Sequence, residues 1–334
     1  MNYNSAKILK SINILVGILI FVLSYLFVFV KLSTPSLWQD VRVWWNTMTW
    51  NVMCPLLVLM ILLMFLNWGM ETVKWRFLMQ KVYPLSFFAS LKSVLAGVCV
   101  SVIFPNRSCD FIGRAFILPQ GYALKGTLVT WVGNIAQLAV TLFFGLSGLI
   151  YVLLKGHGIA PYTMAYIIGT IVLVILLSLI LWAYFNIATF VKFLHRINGK
   201  WANKIADKLN FLEYYTFKEL SIALAWSIGR YIVFVFQLYL ALRLCSGSVP
   251  LGAALGISCV YFLFTTIIPT WVLSEIGVRA SVAIVLFGPA VSYFPSLGLN
   301  TAVVIFPTIL LWCVNVVLPA VLGSFSVLKL KLLR

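Results

Sequence analysis

Ile103-Phe104-Pro105-Asn106-Arg107-Ser108-Cys109-Asp110-Phe111-Ile112-Gly113-Arg114-Ala115 and Ile268-Pro269-Thr270-Trp271-Val272-Leu273-Ser274-Glu275-Ile276-Gly277-Val278-Arg279-Ala280 are two copies of one pattern. Each runs from a proline through an acid and an Ile-Gly pair to an arginine and an alanine. Each lies beside apolar sequence able to enter a membrane. The chain has only 7 acidic residues in 334, and Asp110 and Glu275 are two of them. Paired polar breaks in corresponding positions of two halves are the strongest sequence pointer to a transporter-type site.

The surrounding composition sets the class. The chain is 63% hydrophobic and 9% charged, with a mean hydropathy of +1.07. A soluble domain carries about 25% charged residues. The apolar stretches are long and continuous, not alternating at period two, so a helical polytopic membrane protein is expected and a β-barrel is not. One transmembrane domain over 1–334 is expected, with no room for a sizeable soluble one. The net charge of +17 does not call for a nucleic-acid partner. Most lysines and arginines flank apolar segments, as the positive-inside rule requires, and part of the excess suits the anionic cytoplasmic leaflet. The six cysteines contain no CxxC and read as small core residues. His157 and His195 fall in separate loops. No metal or other cofactor is expected, and no nucleotide-binding motif is present.

Charge also sets a topology. Full spans are expected at 11–30, 52–70, 126–154, 163–190, 219–243 and 298–324, each long enough to cross about 30 Å of hydrocarbon. The first is read as uncleaved, being longer than a signal-peptide core of about 7–15 residues. The basic segment 191–218, the cluster Lys74, Arg76 and Lys81, and both termini are expected to be cytoplasmic. That is consistent only if 84–124 and 250–290 each return to the side they left. Two re-entrant hairpins are therefore expected, approaching the midplane from opposite faces as an inverted repeat. Pro105 and Pro269 would break their helices. Gly113 and Gly277 would permit close packing or a turn. The plainer alternative makes both motifs interhelical loops at the membrane surface.

Charges at bilayer depth cost at least about 2.5–3.5 kcal/mol each, so they are paired, solvated or used. Candidate ligand-binding residues are Arg107, Asp110, Arg114, Arg230, Glu275 and Arg279, with the polar residues Asn134, Gln137 and Gln237. Asp110 and Arg114 are spaced i,i+4, as are Glu275 and Arg279, and each pair can bridge on its own helix face. Arg230 lies mid-span, too far from either end to snorkel. Gln237 shares its face seven residues on. Thr130, Asn134, Gln137 and Thr141 form one stripe, which interhelical hydrogen bonding alone would also explain. Four central arginines against two acids leave a surplus that suits an anion, and the guanidinium fork matches phosphate.

These residues carry a resemblance. Trp75-Arg76, Pro105-Asn106-Arg107, Asp110-Phe111-Ile112-Gly113-Arg114, Asn134-x-x-Gln137, and Pro269 with Glu275-Ile276-Gly277-Val278-Arg279 resemble the membrane region of lysylphosphatidylglycerol synthases. They also resemble the related flippase-like proteins without a synthase domain. The resemblance covers nearly the whole chain. It implies a membrane fold with re-entrant helices that moves phospholipid between leaflets, while a separate soluble domain performs aminoacyl transfer. This chain ends at Arg334, so no transferase activity is expected. Ser108-Cys109-Asp110 departs from relatives that have glycine before the acid.

The expected function is a flippase or transporter of an anionic phospholipid or a polyprenyl-phosphate lipid, in a bacterial plasma membrane, and not an enzyme. The alternative is a scaffold or assembly subunit whose segment 191–218, with Phe193, Trp201, Phe211, Tyr214 and Tyr215, lies on the membrane or binds a partner. Third comes an intramembrane lipid-modifying enzyme using Asp110 and Glu275. No particular protein partner is legible, nor is energy coupling.

Overall fold

In hydrocarbon, a long apolar run has one stable form, a helix whose backbone groups pair internally. A computed structural model of the chain describes 49–102, 109–119, 121–155, 163–196, 208–246, 249–270, 272–293 and 304–328, with Phe104 and a few isolated positions before 49. These residues are helical almost throughout. Helix α1 is Trp50–Met79, followed by a short α2, Phe87–Ser101, and a single-turn α3, Asp110–Ala115. Then come α4, Ala123–Lys155, α5, Thr163–Phe185, and α6, Ile187–Arg196. Helix α7 is Phe217–Ser246, α8 is Leu251–Ile267 and α9 is Val272–Tyr293. The last span joins α10, Ile305–Trp312, through a π turn at Cys313–Val317 to α11, Leu318–Leu328.

Among the described residues, five helical segments are long and apolar enough to cross a membrane: Trp50–Met79, Ala123–Val152, Ile167–Phe185, Phe217–Leu244 and Ile305–Ser326. They correspond to five of the spans expected from the sequence. The expected first span, 11–30, lies outside the described residues except for Val22, Leu26 and Phe29, which are helical. Pro105, Arg107, Trp201 and both termini also lie outside them.

Local sequence explains the ends. Ser86 caps α2 by accepting from the Ala89 N–H at 3.3 Å. Thr216 and Glu219 form a capping box at the start of α7: the Thr216 N–H donates to Glu219 at 2.8 Å and the Glu219 N–H to the Thr216 hydroxyl at 3.3 Å. Helix α8 stops at Ile268, which is extended at φ −72° and ψ 119° because Pro269 follows.

Side-chain contacts fix the packing directions. The Lys74 ammonium donates to the Gly133 carbonyl at 3.3 Å, and Gly126 sits against Met79, so α1 and α4 are antiparallel. Arg230 reaches Asn67 while Gln237 reaches Met60, so α1 and α7 are antiparallel as well. Helix α4 therefore begins beside the end of α1. Helix α7 begins there too, where the Tyr215 hydroxyl donates to the Leu78 carbonyl and Lys81 pairs with Glu219 at 2.7 Å. Helix α8 runs back along α4, with Gly256 against Tyr151 and Leu263 against Gly145.

Two apolar clusters close the two ends of this bundle. One gathers Trp75, Leu78, Met79, Tyr184, Phe211 and Tyr215. The other gathers Met60, Leu242, Val249, Tyr261, Phe287 and Val304. A belt of buried polar side chains lies between them.

Two expectations need correction. Lys74 is not a solvated flanking charge. Helix α1 continues to Met79, well past 70, and Lys74 is 1% exposed within it. Nor is segment 191–218 a simple surface strip. Phe211 and Tyr215 are buried in the core beside Trp75 and Leu78, although Phe193 and Tyr214 remain exposed. Their rings fill the gap left where α1 and α5 end and α7 begins.

Candidate functional site

The polar belt is built on α1. Asn67, Glu71 and Lys74 follow at i, i+4 and i+7, so they share one helix face. That face looks onto α3, α4 and α7. All three side chains are buried.

Glu71 is the hub. Its Oε1 accepts from Arg114 Nη2 of α3 at 2.8 Å. Its Oε2 accepts from Arg230 Nη1 of α7 and pairs with Lys74 Nζ at 2.8 Å. One carboxylate that is 2% exposed thus holds three cations from three helices. An uncompensated charge here would cost several kcal/mol. The network replaces water with fixed partners.

The contacts extend in both directions. Arg114 Nη2 also donates to Asp110 Oδ2 at 3.0 Å, and Asp110 Oδ1 accepts from Asn134 Nδ2 at 3.2 Å. Arg230 Nε donates to Asn67 Oδ1 at 3.0 Å, and Asn67 Nδ2 to Asn315 Oδ1 at 3.4 Å. Asn315 sits in the π turn. Such turns widen a helix locally and are frequent at functional positions. Arg230 also lies over the rings of Trp68 and Phe234, at 5.4 and 5.8 Å from their centroids. Arg114 lies 5.7 Å over Trp75, whose indole N–H donates to Thr130 at 3.1 Å. Cation–π contact steadies guanidinium groups that have left water.

Glycine permits this crowding. A Cβ on Gly113 would lie 2.3 Å from the Ala96 carbonyl oxygen, and one on Gly97 would lie 2.7 Å from that of Asp110. The α2 and α3 backbones therefore touch, which seats Arg114 against α1.

Two cavities adjoin the network. The larger, about 410 Å³, is bounded by Glu71, Asp110, Arg114, Asn134, Gln137 and Arg230. The smaller, about 230 Å³, is bounded by Arg230, Arg279, Tyr231, Phe262, Trp312 and Asn315. Trp68, Gln137, Thr141, Arg230 and Thr266 line both, so they form the wall between. The larger chamber has two carboxylates beside two guanidiniums. Among the described residues, the smaller is lined by Arg230 and Arg279 with no carboxylate.

The second motif is organised more locally. Arg279 pairs with Glu275 at 3.0 Å, i to i+4 on α9, and also interacts with the Tyr261 phenol of α8. Gly277 is buried in the same helix.

Most of the residues singled out from the sequence converge. Asp110, Arg114, Asn134, Gln137 and Arg230 line the larger chamber, and Arg230 and Arg279 the smaller. Both expected i,i+4 bridges form. Asn134 and Gln137 also serve as interhelical ties, since Gln137 donates to the Ser227 carbonyl at 3.5 Å and accepts from Arg230 at 3.4 Å. Gln237 lines neither chamber. It is fully buried and ties α7 to α1 through the Met60 carbonyl at 2.8 Å. Asn67, Glu71, Lys74 and Asn315 were not anticipated. The first three carried a readable signal, a polar i, i+4, i+7 stripe in an apolar helix. A span cut off at 70 hid it. With Glu71 and Lys74 included, the described centre holds four cations, Lys74, Arg114, Arg230 and Arg279, against three carboxylates.

Spans, chambers and buried charges together define a multi-pass helical membrane protein with an internal charged site. A family model for the lysylphosphatidylglycerol synthase TM region matches residues 14–325, and the chain belongs to that family. No curated protein and no solved structure matches it.

Proposed function

We propose that this protein moves an anionic phospholipid, or a lipid-linked phosphate such as a polyprenyl phosphate, between the leaflets of a bacterial plasma membrane. The observation that carries the reading is the pair of chambers with Arg230 in their common wall. A phosphate crossing a bilayer needs fixed positive groups within reach at mid-depth, because water is absent there. Arg114, Arg230 and Arg279 supply such groups across the two chambers.

The lengths of α2 and α8 support this route. Helices α2 and α8 have 15 and 17 residues. At about 1.5 Å per residue they fall short of a hydrocarbon core of roughly 30 Å. The chain leaves α1 and enters α4 at the same end of the bundle. In our reading, 84–124 is a re-entrant hairpin from the cytoplasmic side and 250–290 one from the outside. They form an inverted repeat with both chain termini cytoplasmic. The first hairpin brings the Asp110–Arg114 pair to the larger chamber, and the second brings Arg279 to the smaller.

The reading is transport, not catalysis. Glu71, Asp110 and Glu275 are each paired with an arginine, so each carboxylate already has a partner within the protein. The polar chambers also favour transport over a scaffold role, which needs no internal cavity.

Translocation in proteoliposomes tests this. Labelled anionic, zwitterionic and polyprenyl-phosphate lipids are followed with wild type, Arg230→Gln and Glu275→Gln. Wild type is expected to move the anionic lipids, and Arg230→Gln to abolish movement. Failure of well-folded wild type to move any of them sinks the proposal.

A further inference from the structure

The Glu71 cradle is built like an oxyanion site. Arg114 Nη2, Arg230 Nη1 and Lys74 Nζ converge on one carboxylate. Charge-assisted donors from several cations are the usual means of holding phosphate. A carboxylate, with two oxygens, cannot use all that is offered. Arg114 is 4% exposed, yet among the described residues its Nε and Nη1 have no hydrogen-bond acceptor, and neither has the indole N–H of Trp68. Arg114 and Trp68 line the larger chamber together with Glu71. Buried donors without acceptors are costly, and in a native protein they call for an explanation.

A ligand supplies one. We infer that the Arg114–Arg230–Lys74 cradle is a phosphate site which Glu71 occupies in the ligand-free protein, and that a ligand's phosphate binds by displacing the Glu71 carboxylate. This rests on the transport reading and deepens it. A tetrahedral phosphate presents more oxygens than a carboxylate and can engage the donors Glu71 leaves unused. Arg230 faces both chambers, so it can keep hold of the anion as contact with one chamber is exchanged for contact with the other. Glu71 then retakes the cradle once the ligand departs. That return spares the protein a state in which Lys74 and Arg230 lose their carboxylate and Arg114 keeps only Asp110, which would be strongly unfavourable. Glu71 thus acts as an internal competitor, lowering affinity so that the ligand can leave.

The role has a signature that a purely structural salt bridge lacks. Removing a structural counter-ion weakens the site, whereas removing a competitor strengthens it. Equilibrium binding is measured on purified protein in nanodiscs, with inorganic phosphate as one probe and phosphatidylglycerol diluted into phosphatidylcholine as the other. Glu71→Gln is expected to bind phosphate at least about ten-fold more tightly than wild type, the order of one charge-assisted hydrogen bond released to the ligand. The double variant Glu71→Gln with Lys74→Gln keeps the net charge and is expected to stay folded and to bind more tightly than wild type. Unchanged or weaker binding by folded variants overturns the inference. So does loss of folding in both, which would make Glu71 a structural counter-ion. Tightening for both probes identifies a lipid headgroup, and tightening for inorganic phosphate alone identifies a soluble phosphate. Transport is read separately in the proteoliposome assay. Wild type that transports while Glu71→Gln fails to tighten would reject the competitor and keep the transporter.

Discussion

The two copies of the proline–acid–Ile-Gly–arginine motif share a pattern but not a fate. In the first, Arg114 sits on a helix of 6 residues and is 4% exposed. It shares one guanidinium nitrogen between Asp110, on its own helix, and Glu71, on α1. In the second, Arg279 sits on a helix of 22 residues and pairs with Glu275 on that same helix. The first copy is thereby wired into α1 and α7 through Glu71. The second is anchored by its own helix and by Tyr261. A short helix gains little from its own backbone hydrogen bonds, so tertiary contacts must hold it. A long helix already fixes its i,i+4 pair. The same sequence pattern can therefore serve as a coupled element in one half and as a more autonomous one in the other.

The largest expected break in this comparison comes from the two arginines. Arg114→Gln strips a partner from both Glu71 and Asp110, and breaking a buried pair costs about 3–5 kcal/mol. Arg279→Gln disturbs a partly exposed local pair, with a smaller expected loss of about 1–3 kcal/mol. Thermal unfolding of the two purified variants checks the order. Equal losses would mean that both copies are wired alike.

Backbone contact sharpens the contrast at intermediate size. Gly113→Ala places a Cβ 2.3 Å from the Ala96 carbonyl oxygen, where only a backbone shift can relieve the clash. In the second half, Gly256→Ala meets the Tyr151 ring at 2.5 Å, and a side chain can turn aside. Overpacking costs about 1–3 kcal/mol. Gly113→Ala is expected at the upper end, with reduced lipid translocation, and Gly256→Ala at the lower end. Melting temperatures and proteoliposome rates for both variants test the ranking.

The smallest effect is expected outside the belt. Lys81 and Glu219 pair at 2.7 Å with each side chain 27% exposed. Pairs of this kind contribute about 0–1 kcal/mol and are screened by salt. Lys81→Ala is expected to leave translocation unchanged and to lower stability only slightly at low salt. A loss as large as that of Arg114→Gln would show that the end of the bundle, not its centre, limits the fold.

Five spans were legible because hydropathy reports directly on what hydrocarbon tolerates. Asp110–Arg114 and Glu275–Arg279 were legible because i,i+4 spacing is a property of one helix. Arg230 announced itself by its cost at mid-span. The partners of these residues were not legible in the same way. Glu71 lies 43 positions from Arg114 and 159 from Arg230, and no local pattern joins such distances. Lys74 was misplaced because a positive charge just past an apolar run ordinarily marks a membrane edge. Only the length of α1 and the approach of α3, α4 and α7 turn it into a central charge.

The sequence alone determined that this protein is helical, lives in a membrane and carries costly charges in two related breaks. Those properties follow from local transfer free energies and helical periodicity. The tertiary structure alone decided which cation meets which carboxylate, that Glu71 is the hub, and that Arg230 divides two chambers. Those properties depend on how α1, α3, α4 and α7 cross, and helix crossings arise from packing between distant segments that no single stretch of chain encodes.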